Sequence, residues 1–240
     1  MRDAGVRSQR VNPSVQRVDT GGDWPCVVLD GALDDPEGLV ELAVQHRGAF
    51  APTRVNAFPG PELPLPDSAV HGLAQRFAPL FAAALGVAGC VGGQGRLSMV
   101  TLAPAELAPL QRVCHRDRLP REAGERIVAA VLYLFHDDAL GGTSFFRPRQ
   151  TPEQIEALMQ RLAAASDAEA DALLGAERAY LTQDNAYFER SATIAARWNR
   201  AIFYDGYQFH GSHIDQPLRL CDDPRQGRLT LNLFLRCLPS

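Results

Sequence analysis

The chain lacks several features that mark large classes of protein. Its five cysteines are odd in number, widely spaced and without a C-x-x-C pair, so neither a disulfide framework nor a thiolate zinc site is indicated. This use of cysteine favours a reducing compartment. The formal net charge is -4 at pH 7 and no block of basic residues is present, which argues against a nucleic-acid-binding surface.

Long apolar segments are absent as well. Residues 1–15 contain no apolar stretch of the kind found in signal peptides. The longest apolar run, residues 127–135, is much shorter than the roughly 20 residues that span a bilayer. The glycine-rich segment 89–95 does not have the G-x-G-x-x-G spacing of a dinucleotide-binding loop, and its glycines predict a turn. We therefore expect a cytoplasmic protein with no membrane or nucleic-acid partner.

The composition is typical of one ordinary soluble domain. The chain has 240 residues, of which 46% are hydrophobic and 22% are charged. The polar residues 1–22 predict a loose N-terminal arm, and residues 23–240 are expected to form a single domain.

The predicted elements run from helices through strands to a helical insertion and then to strands again. Strand-like composition or alternation is found in segments 96–104, 127–135 and 141–148 and in several segments after residue 197. Thr-Pro-Glu-Gln at 151–154 and Ser-Asp-Ala-Glu at 166–169 match capping boxes. They predict a helical hairpin over 152–180, within an insertion at about 150–197. This order predicts a mainly β fold with flanking helices (α+β), of the double-stranded β-helix or jelly-roll type.

His-x-Asp pairs are the main candidates for chemistry. The chain contains three of them: His115/Asp117, His136/Asp138 and His213/Asp215. The second lies in a turn-like segment, and the third has no histidine downstream. Residues i and i+2 of a strand face the same side, so the first pair could reach one metal ion. Taken alone, this pair is better explained as a loop histidine and a surface aspartate.

The order of motifs from residue 114 to residue 235 resembles a known family. It matches the Fe(II)- and 2-oxoglutarate-dependent dioxygenases, and among them the prolyl-4-hydroxylase-like group. The matching elements, in order, are His115-Arg116-Asp117, Tyr133-Leu134, Gly141 to Phe145, Phe203 to His210, and Arg228-Leu229-Thr230. Two spacings are longer than is usual in the family. The helical insertion accounts for the first, and the loop 216–226 would have to bulge out to account for the second.

The resemblance implies a metal centre. His115, Asp117 and His210 would be the Fe(II) ligands, which is the facial triad of two histidines and one carboxylate. His213 is the alternative second imidazole; if His210 is the ligand, His213 is expected to be an exposed loop residue at the rim. Relatives that halogenate their substrates lack the carboxylate ligand, so the presence of Asp117 favours hydroxylation or desaturation.

The resemblance also implies a co-substrate site. Arg228 would bind the far carboxylate of 2-oxoglutarate through two hydrogen bonds, and Thr230 would donate a further one from the same face of the strand. Tyr133 would contact the same carboxylate. The alternatives are a surface arginine at 228 and simple core packing at 133.

The implied function is an Fe(II)- and 2-oxoglutarate-dependent oxygenase that hydroxylates an amino-acid, peptidyl or small-metabolite substrate. Two other functions stay open: a non-catalytic jelly-roll binding protein, and a cupin-like metal-dependent isomerase or hydrolase that does not use 2-oxoglutarate. Retention of Arg228 and Thr230 disfavours the cupin-like function. The sequence indicates neither the substrate nor the oligomeric state.

Overall fold

Two antiparallel sheets form the framework of the protein. The computed structural model describes residues 14–52 and 57–240. The strands are β1 (Ser14–Val18), β2 (Cys26–Asp30), β3 (Ala51–Pro52), β4 (Pro61–Pro64), β5 (Val87–Val100), β6 (Arg126–Tyr133), β7 (Thr143–Pro148), β8 (Phe188–Ile194), β9 (Arg200–Asp205), β10 (Phe209–Ser212) and β11 (Arg228–Pro239). The α-helices are α1 (Glu37–Gln45), α2 (Asp67–Phe81), α3 (Pro152–Ala164) and α4 (Asp167–Leu174). The larger sheet has the order β1-β2-β9-β6-β11-β5-β4-β3, and the smaller has the order β10-β7-β8. The predicted mainly β fold with flanking helices is confirmed.

The central strands of the larger sheet are buried on both faces. On one face, Phe77 and Phe81 of α2 each lie 5.1 Å from the ring of Phe203 in β9. On the other face, the neighbouring residue Tyr204 meets Phe145 of the smaller sheet edge to face, also at 5.1 Å. Successive residues of a strand point to opposite sides, so β9 contributes to both cores. The larger sheet therefore lies between the helices α1 and α2 and the smaller sheet.

The predicted helical hairpin is present as α3 and α4, and both capping boxes are formed. Its apolar face packs on the outer side of the smaller sheet, where Ile155 and Leu158 join a cluster with Phe188 and Phe209. The end of the insertion needs correction. The helices end at Leu174, whereas residues 188–194 form β8 and pair with β7.

Two further predictions are corrected. The predicted loose arm contains β1, which pairs with β2 from Ser14 to Val18; residues 1–13 lie outside the described residues. The predicted turn at 89–95 is part of the long strand β5. Its glycines serve close packing, because a Cβ atom on Gly95 would lie 2.8 Å from Leu233 and 2.9 Å from Val70.

None of the helices in the described ranges is both long and apolar enough to cross a membrane.

The corner before β7 requires glycine, and this gives a stability prediction. Gly141 has a positive φ of 82°, and an added Cβ would collide with the carbonyl oxygen of His213. Strain and overpacking together are expected to make Gly141→Ala less stable by about 3 kcal/mol or more. Gly72 is the control, since it lies inside α2 with no atom within 4 Å of its added Cβ. Gly72→Ala should stabilise the protein by about 0.5–1 kcal/mol. Urea unfolding of both variants tests this, and an unchanged midpoint for Gly141→Ala would contradict it.

Candidate metal centre

A pair of backbone hydrogen bonds joins the two segments that carry the candidate ligands. His115 N donates to His210 O, and His210 N donates to His115 O, both at 2.9 Å. Two residues on, Asp117 N donates to Gly206 O at 2.8 Å. His115 thus forms an isolated bridge with His210 of β10. Residues 115–117 do not form the regular strand on which the sequence argument relied. The bridge still places His115 and Asp117 beside His210, which is far away in the sequence.

The side chains of His115, Asp117 and His210 converge. Each offers one ligand atom, and these atoms all lie within 4.8 Å of one another. His115 Nε2 lies 3.7 Å from Asp117 Oδ1, and His210 Nε2 lies 3.6 Å from Asp117 Oδ2. One carboxylate therefore stands between two imidazole nitrogens, an arrangement in which a single cation could contact all three groups.

The electrostatics of this cluster suit the binding of a cation. Asp117 is 7% exposed in its side chain, and its buried Oδ2 has no hydrogen-bond partner. Burial raises the pKa of Asp117 to about 6. Desolvation lowers the pKa of His210 to about 4; desolvation and then the nearby His210 lower the pKa of His115 to about 4. The imidazoles are thus neutral and able to ligate, and the carboxylate lacks the positive partner that a buried charge requires.

The tautomer of His210 also suits a metal ligand. Its Nδ1 lies 2.9 Å from Gln208 O. A carbonyl oxygen can only accept, so Nδ1 carries the proton and the lone pair of Nε2 faces Asp117. A ligand histidine is commonly oriented by such a hydrogen bond from its other nitrogen. The edge-to-face contact with Tyr204, at 4.7 Å between ring centroids, fixes the ring further.

His213 is not part of the cluster. Its Nδ1 lies 2.8 Å from Ser144 Oγ, and its Nε2 lies 2.8 Å from Asp215 Oδ2. The side chain is only 12% exposed, so the expectation of an exposed loop histidine was wrong. Both ring nitrogens therefore have a polar partner, and the contact with Ser144 links the segment after β10 to β7.

Arg228 is fully buried at the start of β11, and the alternative of a surface arginine was wrong. Its Nη2 donates to Gly142 O at 2.8 Å and its Nε to Gly141 O at 3.4 Å. Burial lowers the pKa of its guanidinium. Within the described part of the chain, no carboxylate forms an ion pair with Arg228. A buried cation without a counter-ion is a candidate binding site for an anion.

A cavity of about 70 Å³ connects the cluster with Arg228. Its lining includes His115, Asp117, His210, Arg228, Thr230, Thr143 and Asn232. Thr143 and Asn232 were not among the predicted site residues. Asn232 could have been found from its alternation with Arg228 and Thr230, and Thr143 from its place directly after the Gly-Gly corner.

Tyr133 does not line this cavity. Its hydroxyl lies 2.8 Å from Thr143 Oγ1, and its ring packs between the two sheets. The core-packing alternative therefore describes Tyr133 better, with Thr143 standing between it and the cavity. Thr230 does line the cavity, and its hydroxyl donates to Ser98 O at 3.4 Å.

A second cavity of about 720 Å³ adjoins the first. Residues that line both are Phe58, His115, Asp117, Gly211, Ser212, Asn232 and Phe234. His115 and Asp117 thus lie between the small cavity and a volume typical of small-molecule sites, which range over roughly 300–1,000 Å³.

Several solved structures are similar to this chain over most of its length. The epimerase SnoN from nogalamycin biosynthesis, described as non-heme and alpha-ketoglutarate-dependent, has a TM-score of 0.48 and 13% identity, over 88% of this chain and 78% of that chain. HygX from Streptomyces hygroscopicus, with nickel and 2-oxoglutarate bound, has a TM-score of 0.49 and 10% identity, over 89% and 82%. A prolyl-4-hydroxylase of Pseudomonas putida has a TM-score of 0.42 and 13% identity, over 91% and 94%.

No curated protein matches the chain. A family model does match, over residues 11–235, and its description is "Family of unknown function (DUF6445)". Since the match covers most of the sequence, the chain belongs to this family.

Proposed function

We propose that this protein is an Fe(II)- and 2-oxoglutarate-dependent oxygenase. The observation that carries the proposal is the content of the small cavity. A His-Asp-His cluster lines this chamber together with the buried guanidinium of Arg228, which has no counter-ion among the described residues. A metal ion and a co-substrate carboxylate would satisfy both at once.

His115, Asp117 and His210 would hold the metal. Two neutral imidazoles and one carboxylate suit Fe(II), and three protein ligands leave positions open for other molecules. The orphaned Asp117 Oδ2 would gain the cation it lacks. The iron and 2-oxoglutarate would supply the oxidation chemistry, in which dioxygen is consumed and 2-oxoglutarate loses carbon dioxide to give succinate. The contribution of the chain is placement and charge.

Arg228 would bind the far carboxylate of 2-oxoglutarate. The two carbonyl contacts from Gly141 and Gly142 hold the guanidinium in place and leave further N–H groups for an anion, since an arginine carries five. A planar guanidinium matches a carboxylate with two parallel hydrogen bonds. Thr143 and Thr230, whose hydroxyls lie in the same lining, would complete the polar contacts.

The larger cavity would receive the substrate. Its volume of about 720 Å³ suits a small molecule, and two of the candidate ligands, His115 and Asp117, form part of its wall. With Asp117 in place, we propose hydroxylation as the reaction. We further propose that residues 23–240 act as one domain together with β1, since the larger sheet combines β1 with strands from both halves of the chain. The five free cysteines suit a reducing, cytoplasmic setting.

An anaerobic titration tests this function. Fe(II) is added to the protein, followed by 2-oxoglutarate, and the visible spectrum is recorded. We expect saturable binding of both and a weak charge-transfer band when 2-oxoglutarate joins the iron. On admitting air, succinate should form even without the substrate, at a slow rate. The His136→Ala variant is the control, because His136 stacks on Trp198 outside the cluster.

The alternatives give different results in the same experiment. Iron binding without 2-oxoglutarate binding would favour a cupin-like metal enzyme. Binding of neither would favour a non-catalytic protein, and in both cases the oxygenase proposal would be wrong.

A further inference from the structure

The larger cavity has an excess of positive charge in its described lining. Three arginines contribute to it, namely Arg96, Arg116 and Arg118, against two carboxylates, Glu62 and Asp117. Asp117 is a candidate metal ligand, so its charge would be taken up by the metal. The charge of the arginines and their free N–H donors therefore determine which ligands the cavity can bind.

Two of these arginines have a carboxylate partner. Arg118 pairs with Glu156 of α3, and its side chain is 63% exposed at the mouth of the cavity. Arg96 Nε lies 3.0 Å from Glu62 Oε1. With these two charges offset, about one positive charge is left in the lining, that of Arg116.

Arg116 has no ion pair among the described residues. Its guanidinium lies over the ring of Phe209, with 4.1 Å between Cζ and the ring centroid. Such stacking holds the plane of the group while its edge N–H donors remain available. Arg116 lines the same cavity as His115 and Asp117, so an anion that it binds lies in the cavity that these two candidate ligands also line.

Arg96 provides a second directed donor. Its guanidinium lies over the ring of Phe234, at 4.5 Å, and the side chain is 19% exposed. Its Nε is the atom that pairs with Glu62 Oε1, and the same carboxylate oxygen also accepts from Ser98 Oγ at 3.1 Å. Arg96 lines the same cavity as His115 and Asp117. An arginine carries five N–H donors, so an ion pair made through Nε leaves the Nη donors for a ligand.

The remaining walls are largely apolar. They include Phe58, Leu110, Phe146, Met159, Leu181 and Phe234. A ligand that fills the cavity would thus place an aliphatic or aromatic body against these side chains and direct its polar end to the arginines.

We propose that the substrate is a small carboxylic acid with an apolar body, bound through its carboxylate by Arg116 and Arg96. This inference rests on the proposed function, because it places the acid at the iron site as the molecule to be oxidised. The single uncompensated charge favours a singly charged carboxylate over a doubly charged phosphate. The flat, stacked guanidinium groups match the planar carboxylate in shape.

The test uses matched ligands that differ only in charge. Straight-chain and phenyl-substituted carboxylic acids of four to twelve carbons are compared with their primary amides and with the corresponding alkyl phosphates, roughly spanning what such a cavity holds. Each is titrated into protein loaded with Zn(II), a redox-inert substitute, and saturated with 2-oxoglutarate, and binding is followed by ligand-observed NMR. We expect at least one acid to bind about tenfold or more tightly than its amide, as one charge-assisted contact implies.

Three variants locate the effect. Arg116→Gln and Arg96→Gln should each remove most of the preference for the acid and leave amide binding nearly unchanged. Arg161→Gln, which makes the same charge change on the exposed face of α3, should leave the preference intact. Because Arg96→Gln could destabilise the protein by leaving Glu62 without its ion pair, the exposed Arg116 provides the decisive variant.

Equal binding of every acid and its amide would overturn the inference. Tighter binding of the phosphates, or an undiminished preference in Arg116→Gln, would overturn it too. Binding of 2-oxoglutarate is measured separately in the same samples. If 2-oxoglutarate fails to bind while acids are still preferred through Arg116, the oxygenase function is wrong and the carboxylate site stands; the reverse result rejects the carboxylate site alone.

Discussion

Replacement of His115, Asp117 or His210 by alanine is expected to abolish tight Fe(II) binding. The three groups lie within 4.8 Å of one another, and each removal leaves only two ligands. Loss of an outer hydrogen bond to a ligand already lowers metal affinity about 10–100-fold, so loss of a ligand itself should exceed that range. Anaerobic competition with a colorimetric chelator measures the affinity, and circular dichroism checks that the fold is retained.

Two other histidines serve as controls for this prediction. His213 is held by Ser144 and Asp215, and His136 stacks on Trp198, so alanine at either position should leave iron affinity nearly unchanged. If His213→Ala lost iron while His210→Ala kept it, the assignment of the second imidazole would be wrong. Normal binding in all five variants would reject the metal centre as a whole.

A second consequence concerns the stability of the metal-free protein. Asp117 is buried with one oxygen unpaired, and an unpaired buried charge is unfavourable. Fe(II) should therefore raise the melting temperature of the native protein in a concentration-dependent way, because it binds the folded state only. The three alanine variants should show no such rise, which gives a readout of the same prediction that is independent of chelator chemistry.

The sequence predicted parts of the site that depend on local spacing. His115 and Asp117 are two residues apart, and this offset brings their side chains to the same side in any extended segment. The choice between His210 and His213 depends on which of them is paired with His115 across the sheet. That pairing is set by the register of β10 against β7, where His210 stands opposite Phe145. Register is a tertiary property, so sequence order could favour His210 without establishing its position.

Other elements were missed because their local signal was weak or misleading. The glycines of β5 predicted a turn, yet they lie within a strand. Gly95 allows this strand to pack closely against Leu233 and Val70. The strand β8 has the composition Phe-Glu-Arg-Ser-Ala-Thr-Ile and lies at the edge of the smaller sheet. Its mostly polar residues gave little indication of a strand after a helical segment. In both cases the pairing partner, and not the segment itself, determines the structure.

Arg228 is another residue for which the sequence indicates one property and the folded structure determines the rest. Arg228, Thr230 and Asn232 alternate along β11, which places them on one face, and all three line the small cavity. The sequence could not show that the guanidinium is entirely buried, or that no described carboxylate neutralises it. These are properties of the assembled sheets, and they are the ones that point to an anionic ligand.

Substitution of Arg228 is expected to have the largest effect on co-substrate binding. A bidentate, charge-assisted contact in a buried site contributes about 1.5–3 kcal/mol. Arg228→Ala should therefore weaken 2-oxoglutarate binding by roughly one to two orders of magnitude and leave Fe(II) affinity nearly unchanged. Arg228→Lys should lie between, because an ammonium keeps the charge but cannot reproduce the planar fork. Isothermal titration of 2-oxoglutarate into the iron-loaded protein under anaerobic conditions measures both effects.

A matched ligand separates this role from a purely structural one. Arg228 also donates to the carbonyl oxygens of Gly141 and Gly142, so its loss could disturb the corner and weaken any ligand. 2-Oxobutyrate keeps the 2-oxo acid group but lacks the far carboxylate. In the native protein it should bind much more weakly than 2-oxoglutarate, and in Arg228→Ala the two should bind almost equally. This comparison forms a double-mutant cycle between the side chain and the carboxylate. If both ligands lost affinity in parallel, Arg228 would be a structural residue of the corner, and the cupin-like and non-catalytic functions would become the better explanations of the site.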